Sequence, residues 1–159
     1  MENFSLVEKL FGKPYTETKN VLGKQIQFRV LSNPERVQIW RKYPTTDLLT
    51  APETIAIPTL ARAIVTIDGV ALAQFREIRD LAKVLPETST IDLIEKHFSD
   101  QDLYPFTIIN ELYTAYTEVV GNHQIALAEL KKNSAVATPE LSGSSAEPSN
   151  ATPPPSENV

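Results

Sequence analysis

Chemistry in this chain would have to come from very few groups. Its two histidines, His97 and His123, have no nucleophile or second ligand at the spacing that a catalytic triad or a metal site needs. His97 follows Lys96 at the close of an apolar-periodic stretch, where cations meet the negative end of a helix dipole. His123 falls on a seam of large apolar residues, the usual place of a hydrogen-bonded interior or interface histidine. Ser99-Asp100-Gln101-Asp102 offers two carboxylates but lacks the further oxygen ligands and the glycine of a calcium loop. It reads as the solvated, acidic start of the helix that follows. The absence of cysteine excludes thiol chemistry, and the five glycines form no phosphate-cradling motif. The sequence therefore leads us to expect no catalytic residue, no cofactor site and no metal site.

A second kind of chemistry, recognition, has more material. Trp40 with Arg41, Lys42 and Tyr43, and Arg36 one turn earlier, could stack and neutralise a nucleic acid. The competing reading, which we prefer, packs Trp40 on the core and leaves its basic neighbours to stabilise a helix C-terminus. The net charge of -5 and pI near 5.1 argue in the same direction, because an acidic chain is not generally drawn to phosphate backbones. A small DNA-binding regulator accordingly ranks behind protein-binding readings. Arg62, Arg76 and Arg79 are expected on polar faces, solvated or salt-bridged.

The elements that would carry these groups are mainly helical. Phe4, Val7, Leu10 and Phe11 mark a short amphipathic helix, which Gly12 and Pro14 separate from a strand. In Gln25 to Val30 strict alternation puts Ile26, Phe28 and Val30 on one face, and Tyr15 to Thr18 across a turn at residues 20–24 supplies the partner strand. Ser32 or Asn33 caps the next helix, with Pro34 in its first turn and Pro44 beyond its end. Residues 45–58, with Pro52 and Pro58, read as a linking segment with room for one helical turn.

A helix over 59–67 is then expected, with Leu60, Ala63, Ile64 and Ile67 on one face and Gly69 as the left-handed residue after its end. Asp68-Gly69 is also a two-residue hairpin signal, and that rival stays open. Further helices follow over 72–85, with Leu72, Phe75, Ile78, Ala82 and Leu85 inward, and over 88–98, with Ile91, Ile94 and Phe98 on one face. The last helix has the clearest pattern: Phe106, Ile109, Tyr113, Tyr116, Val120, His123, Leu127 and Leu130 alternate three- and four-residue steps. A second apolar row of Ile108, Leu112, Ala115 and Val119 widens its face, and Gly121-Asn122 marks a kink or an end. From Asn133 the chain turns rich in Ser, Pro, Ala, Asn and Thr, with acidic charges only, and should be a disordered tail.

The expected fold is thus mainly α: a helical domain of four to five helices with a small N-terminal β-hairpin or strand and a disordered C-terminal tail. Residues 1–31 carry the N-terminal helix and β element, 32–132 the helical domain and 133–159 the tail. No run of roughly 20 apolar residues is present to span a bilayer, so no membrane partner is expected. Residues 1–11 lack the basic and continuous apolar regions of a signal peptide.

Leu60-Ala61-Arg62-Ala63-Ile64-Val65-Thr66-Ile67-Asp68-Gly69, a following amphipathic helix, a proline-marked turn and Leu112-Tyr113-Thr114-Ala115-Tyr116 in a long helix form a pattern over about 52–132. That pattern resembles the tail assembly chaperones of tailed bacteriophages and the related small baseplate or hub assembly proteins. The resemblance implies a non-enzymatic protein that works through contacts with tape measure, tube or baseplate subunits, or with further copies of itself. A chaperone of this kind coats the apolar helices of the tape measure protein until tail tube subunits replace it. It would act in the host cytoplasm during assembly, whereas a baseplate or hub subunit would stay in the virion. The wide face of the last helix is the expected partner-binding surface, through Phe106, Ile109, Tyr113, Tyr116, Val120 and Leu127.

Overall fold

A computed structural model describes residues 13–44 and 51–136, the side chains of 51, 52 and 136 excepted. The expected N-terminal helix around Phe4 to Phe11 and most of the acidic tail lie outside the described residues. Within them, β1 (Thr16–Val21) and β2 (Lys24–Arg29) form a hairpin, followed by α1 (Asn33–Lys42) and α2 (Ala51–Ala63). Then come β3 (Ile64–Ile67), β4 (Val70–Ala71), a single 3-10 turn at Leu72–Gln74, α3 (Arg76–Val84), α4 (Thr90–Phe98) and α5 (Phe106–Val136). The protein is mostly helical, as its periodicity predicts, but the sheet is larger than a hairpin: four antiparallel strands in the order β1-β2-β3-β4.

The hairpin turn is tighter than the sequence reading allowed. Val21 pairs with Lys24, so only Leu22 and Gly23 turn the chain, both with positive φ (52° and 78°). That is the type I′ geometry whose twist matches the strands. Alternation then works as expected on β2, where Ile26 and Phe28 are buried.

The main correction concerns residues 59–67. The helix begins at Ala51 and stops at Ala63, and Ile64–Ile67 is a strand, closed by the Asp68-Gly69 hairpin turn with φ of 50° and 81°. The hairpin reading of Asp-Gly holds and the helix-end reading fails. Four consecutive β-branched residues favour extended backbone here. The free side of β2 needs a hydrogen-bonding neighbour and takes β3, with Ile26 opposite Ile67 and Phe28 opposite Ile64 around a bulge. Nor is 45–58 a linker throughout. Pro52 sits in the first turn of α2, where its missing amide costs nothing, and Pro58 is accommodated inside the helix.

Three smaller corrections follow from burial. Ala82 is exposed and Leu81 is half-buried in its place, because the 3-10 turn at 72–74 shifts the phase of α3. Ile91 is 39% exposed, and Leu93 joins Ile94 and Phe98 in the core. The long helix neither ends nor breaks at Gly121-Asn122, but runs 31 residues to Val136 and so passes the expected boundary at 132.

The core is one cluster that joins the segments 1–31 and 32–132. It is built from Ile26 and Phe28 of β2, Leu60 of α2, Leu93 and Phe98 of α4, and Ile109, Leu112 and Val119 of α5. Helix α5 lies along β1 and β2 on one side and α2 on the other. Glu17 and Lys19 of β1 reach up to it, Glu17 accepting a hydrogen bond from Asn122 at 3.0 Å and Lys19 lying 3.7 Å from Glu118.

Candidate functional site

Helix α1 is fastened at its ends more than along its length. At the start, the Ser32 side chain accepts a hydrogen bond from the Glu35 amide while the Glu35 carboxylate accepts one from the Ser32 amide, a full capping box. The same carboxylate takes two hydrogen bonds from Arg29, at 3.0 and 2.6 Å. That bidentate guanidinium holds Glu35 down at about 2. At the other end, Lys42 donates to Asp92 of α4 at 2.7 Å, an ion pair that raises the lysine and lowers the aspartate. Tyr43 donates to Glu95, which Arg62 of α2 also grips. Between these clamps Ile39 is the only residue of α1 in the core.

This mounting leaves the outer side of α1 open. Trp40 is 44% and Val37 46% exposed, so the expectation that the tryptophan is packed away is corrected. Trp40, Ile39 and Arg36 form one wall of a groove of about 230 Å³. Tyr113, Tyr116 and Val120 of α5 form the facing wall, with Ile55 and Thr59 of α2 also lining it. Burial pushes both phenols up, with the charge of Arg36 opposing the shift only in part, so at neutral pH they are O–H donors rather than bases. Tyr116 is anchored: its ring packs on Phe28 with centroids 6.3 Å apart, and its hydroxyl faces the Leu31 amide at 3.5 Å.

The six residues expected to form the partner face of α5 do not all remain together. Tyr113, Tyr116 and Val120 line the groove, Tyr116 being only 6% exposed, whereas Ile109 (3%) is a core residue and Phe106 (52%) stands out at the N-terminal end of the helix. Leu127 is half-buried toward the other end, in a depression with Tyr15 and His123. The cause is helical phase: a seam of period 3.5 drifts about 20° per heptad on a straight helix of period 3.6. The inward line becomes Ile109, Leu112, Ala115, Tyr116 and Val119, so the row read as secondary is the more deeply buried.

The polar candidates also separate. The Nε2 of His97 is 2.9 Å from the Tyr104 hydroxyl, beside an apolar cavity of about 260 Å³ that includes Leu72, Phe75 and Phe98. His123 stacks on Tyr15 with ring centroids 4.8 Å apart. Asp100 accepts a hydrogen bond from the Asp102 amide in a local turn. Among the described residues no group of three His, Cys, Asp or Glu side chains could hold a metal ion. No helix among them is long and apolar enough to cross a membrane.

The Trp40 to Tyr43 patch divides in the same way, since Lys42 and Tyr43 turn to α4 while Trp40 joins Arg36 in the groove. Arg62, expected on a polar face, is only 12% exposed and pairs with Glu95, at 9%. Glu95 carried no signal in sequence, because one charge in an amphipathic helix looks solvated until a partner from another helix arrives. Searches against family models, curated proteins and solved structures find no match for this chain.

Proposed function

We propose that this chain is a non-enzymatic tail-module protein of a tailed bacteriophage, a tail assembly chaperone that holds apolar helices of the tape measure protein. The observation that carries the reading is the groove between α1 and α5. An exposed tryptophan, a half-buried tyrosine and an arginine share one apolar depression, the residue types that dominate binding hot spots. A groove walled by two helices suits an amphipathic helix laid into it. Moderate affinity is expected from a site of this size, as release to tail tube subunits requires. A structural baseplate or hub subunit is the second reading. It is favoured by β1, which among the described residues ends the sheet and presents an outer edge for strand addition.

Mass spectrometry of purified particles, run beside a pull-down from infected cells with this chain as bait, tests both readings. Recovery of the tape measure protein with absence from particles is the expected result. Stoichiometric presence in particles would replace the chaperone by the structural subunit. Absence from particles together with co-purifying DNA would end the tail-module reading.

A further inference from the structure

Within that reading, we propose that the groove selects a helix whose apolar face is flanked by a carboxylate, with Arg36 reading the charge and Trp40 and Tyr113 gripping the apolar face. The argument begins with which cations are already used. Arg29 is held by Glu35, Lys42 by Asp92 and Arg62 by Glu95. The guanidinium of Arg36 has no ion pair or hydrogen bond among the described residues, although it lines the groove one helical turn from Trp40. The acid beside it in sequence, Glu35, is committed to Arg29 and to the Ser32 cap. In a chain with net charge -5, an exposed, unpaired guanidinium at the edge of an apolar depression is a local exception.

Any helix that fills the groove also takes Arg36 out of water. A purely apolar occupant would leave that charge desolvated and unpaired, and a basic one would add repulsion. A carboxylate at the edge of the apolar face removes the penalty and gains a planar, two-point contact that Arg makes and Lys does not. The tyrosines reinforce the choice of sign, because Tyr113 and Tyr116 present neutral hydroxyls and, among the described residues, no second cation lines the groove. The groove thus discriminates between helices of equal hydrophobicity, which a surface relying on apolar area alone cannot do.

Trp40 is the only tryptophan in the chain, so its fluorescence reports occupancy of this groove directly. The probes are three synthetic tryptophan-free helical peptides, about five turns long, with the same leucine face and with Glu, Gln or Lys at one flanking position. Titration against the full chain should show the Glu peptide binding about tenfold or more tightly than the Lys peptide. Arg36→Gln should flatten the series and Arg36→Glu should invert it, with circular dichroism showing both variants folded. Equal affinity for the three peptides would overturn the charge selection while leaving the groove as a helix site. No change in Trp40 emission with any peptide would end both this inference and the chaperone reading. Displacement of the peptides by a single-stranded oligonucleotide would overturn the inference in favour of a nucleic-acid surface.

Discussion

Arg62 of α2 and Glu95 of α4 form an ion pair with little exposure on either side chain, 12% and 9%, and the pair couples three helices. Arg62 also donates to the Pro58 carbonyl at 2.8 Å, and Glu95 accepts from Tyr43 at the end of α1. Both carboxylate oxygens of Glu95 have partners, and no buried side-chain nitrogen or oxygen is left without one among the described residues. Removing Glu95 leaves Arg62 with the Pro58 carbonyl and no carboxylate, whereas removing Arg62 leaves Glu95 with Tyr43 and with Lys42 at 3.4 Å. Glu95→Ala should destabilise the domain by about 3–5 kcal/mol, whereas Arg62→Met combined with Glu95→Leu should cost much less. Urea denaturation of the single and double variants checks this, and equal losses would show that the charge itself is not the cause.

The Glu35 cap makes the seating of α1 sensitive to acid. Arg29 and the cap amide hold this carboxylate at about 2, below its ordinary value of 4.5. A depressed carboxylate contributes fully above its unfolded pKa and loses that contribution as pH falls through the folded one. Between about pH 5 and pH 2 the domain should therefore lose about 1–2 kcal/mol through this residue. Glu35→Gln should be weaker at neutral pH and lack that part of the acid slope. Urea midpoints of both proteins across the window decide it, and parallel slopes would remove Glu35 as the source.

Leu22 pays a conformational penalty with no packing return. Its φ of 52° lies in the left-handed region that β-carbons disfavour, and it is 63% exposed. Leu22→Asn should raise stability by about 0.5–1 kcal/mol without changing the fold. An unchanged or lower thermal midpoint would count against the turn geometry.

Core and groove should respond differently to truncation. Phe28, fully buried between the sheet and Tyr116, should cost about 3–5 kcal/mol as Phe28→Ala. Trp40→Ala should change stability by about 1 kcal/mol or less, because the residue is 44% exposed, yet should abolish peptide binding in the groove. A large stability loss from Trp40→Ala would make the tryptophan a structural residue and remove it from the binding surface.

Local chemistry made several elements legible in the sequence. Ser32, Pro34 and Glu35 announce the start of α1 because a cap satisfies orphan amides within four residues. Alternation in 25–30 identifies the buried face of β2, and the spacing from Phe106 onward identifies α5. In each case the physical condition is met by residues close together in the chain.

What the tertiary structure alone decided depended on partners far away in sequence. Leu60, Ala63, Ile64 and Ile67 satisfy helical spacing as well as Ile64 to Ile67 satisfy a strand. The choice falls to the open hydrogen-bonding edge of β2, some 40 residues earlier, which only β3 fills. The same holds for Arg62 with Glu95, and for the meeting of Arg36 and Trp40 with Tyr113. Local spacing shows which face of a helix is apolar, but which helix lies opposite is set by the packing of the whole chain.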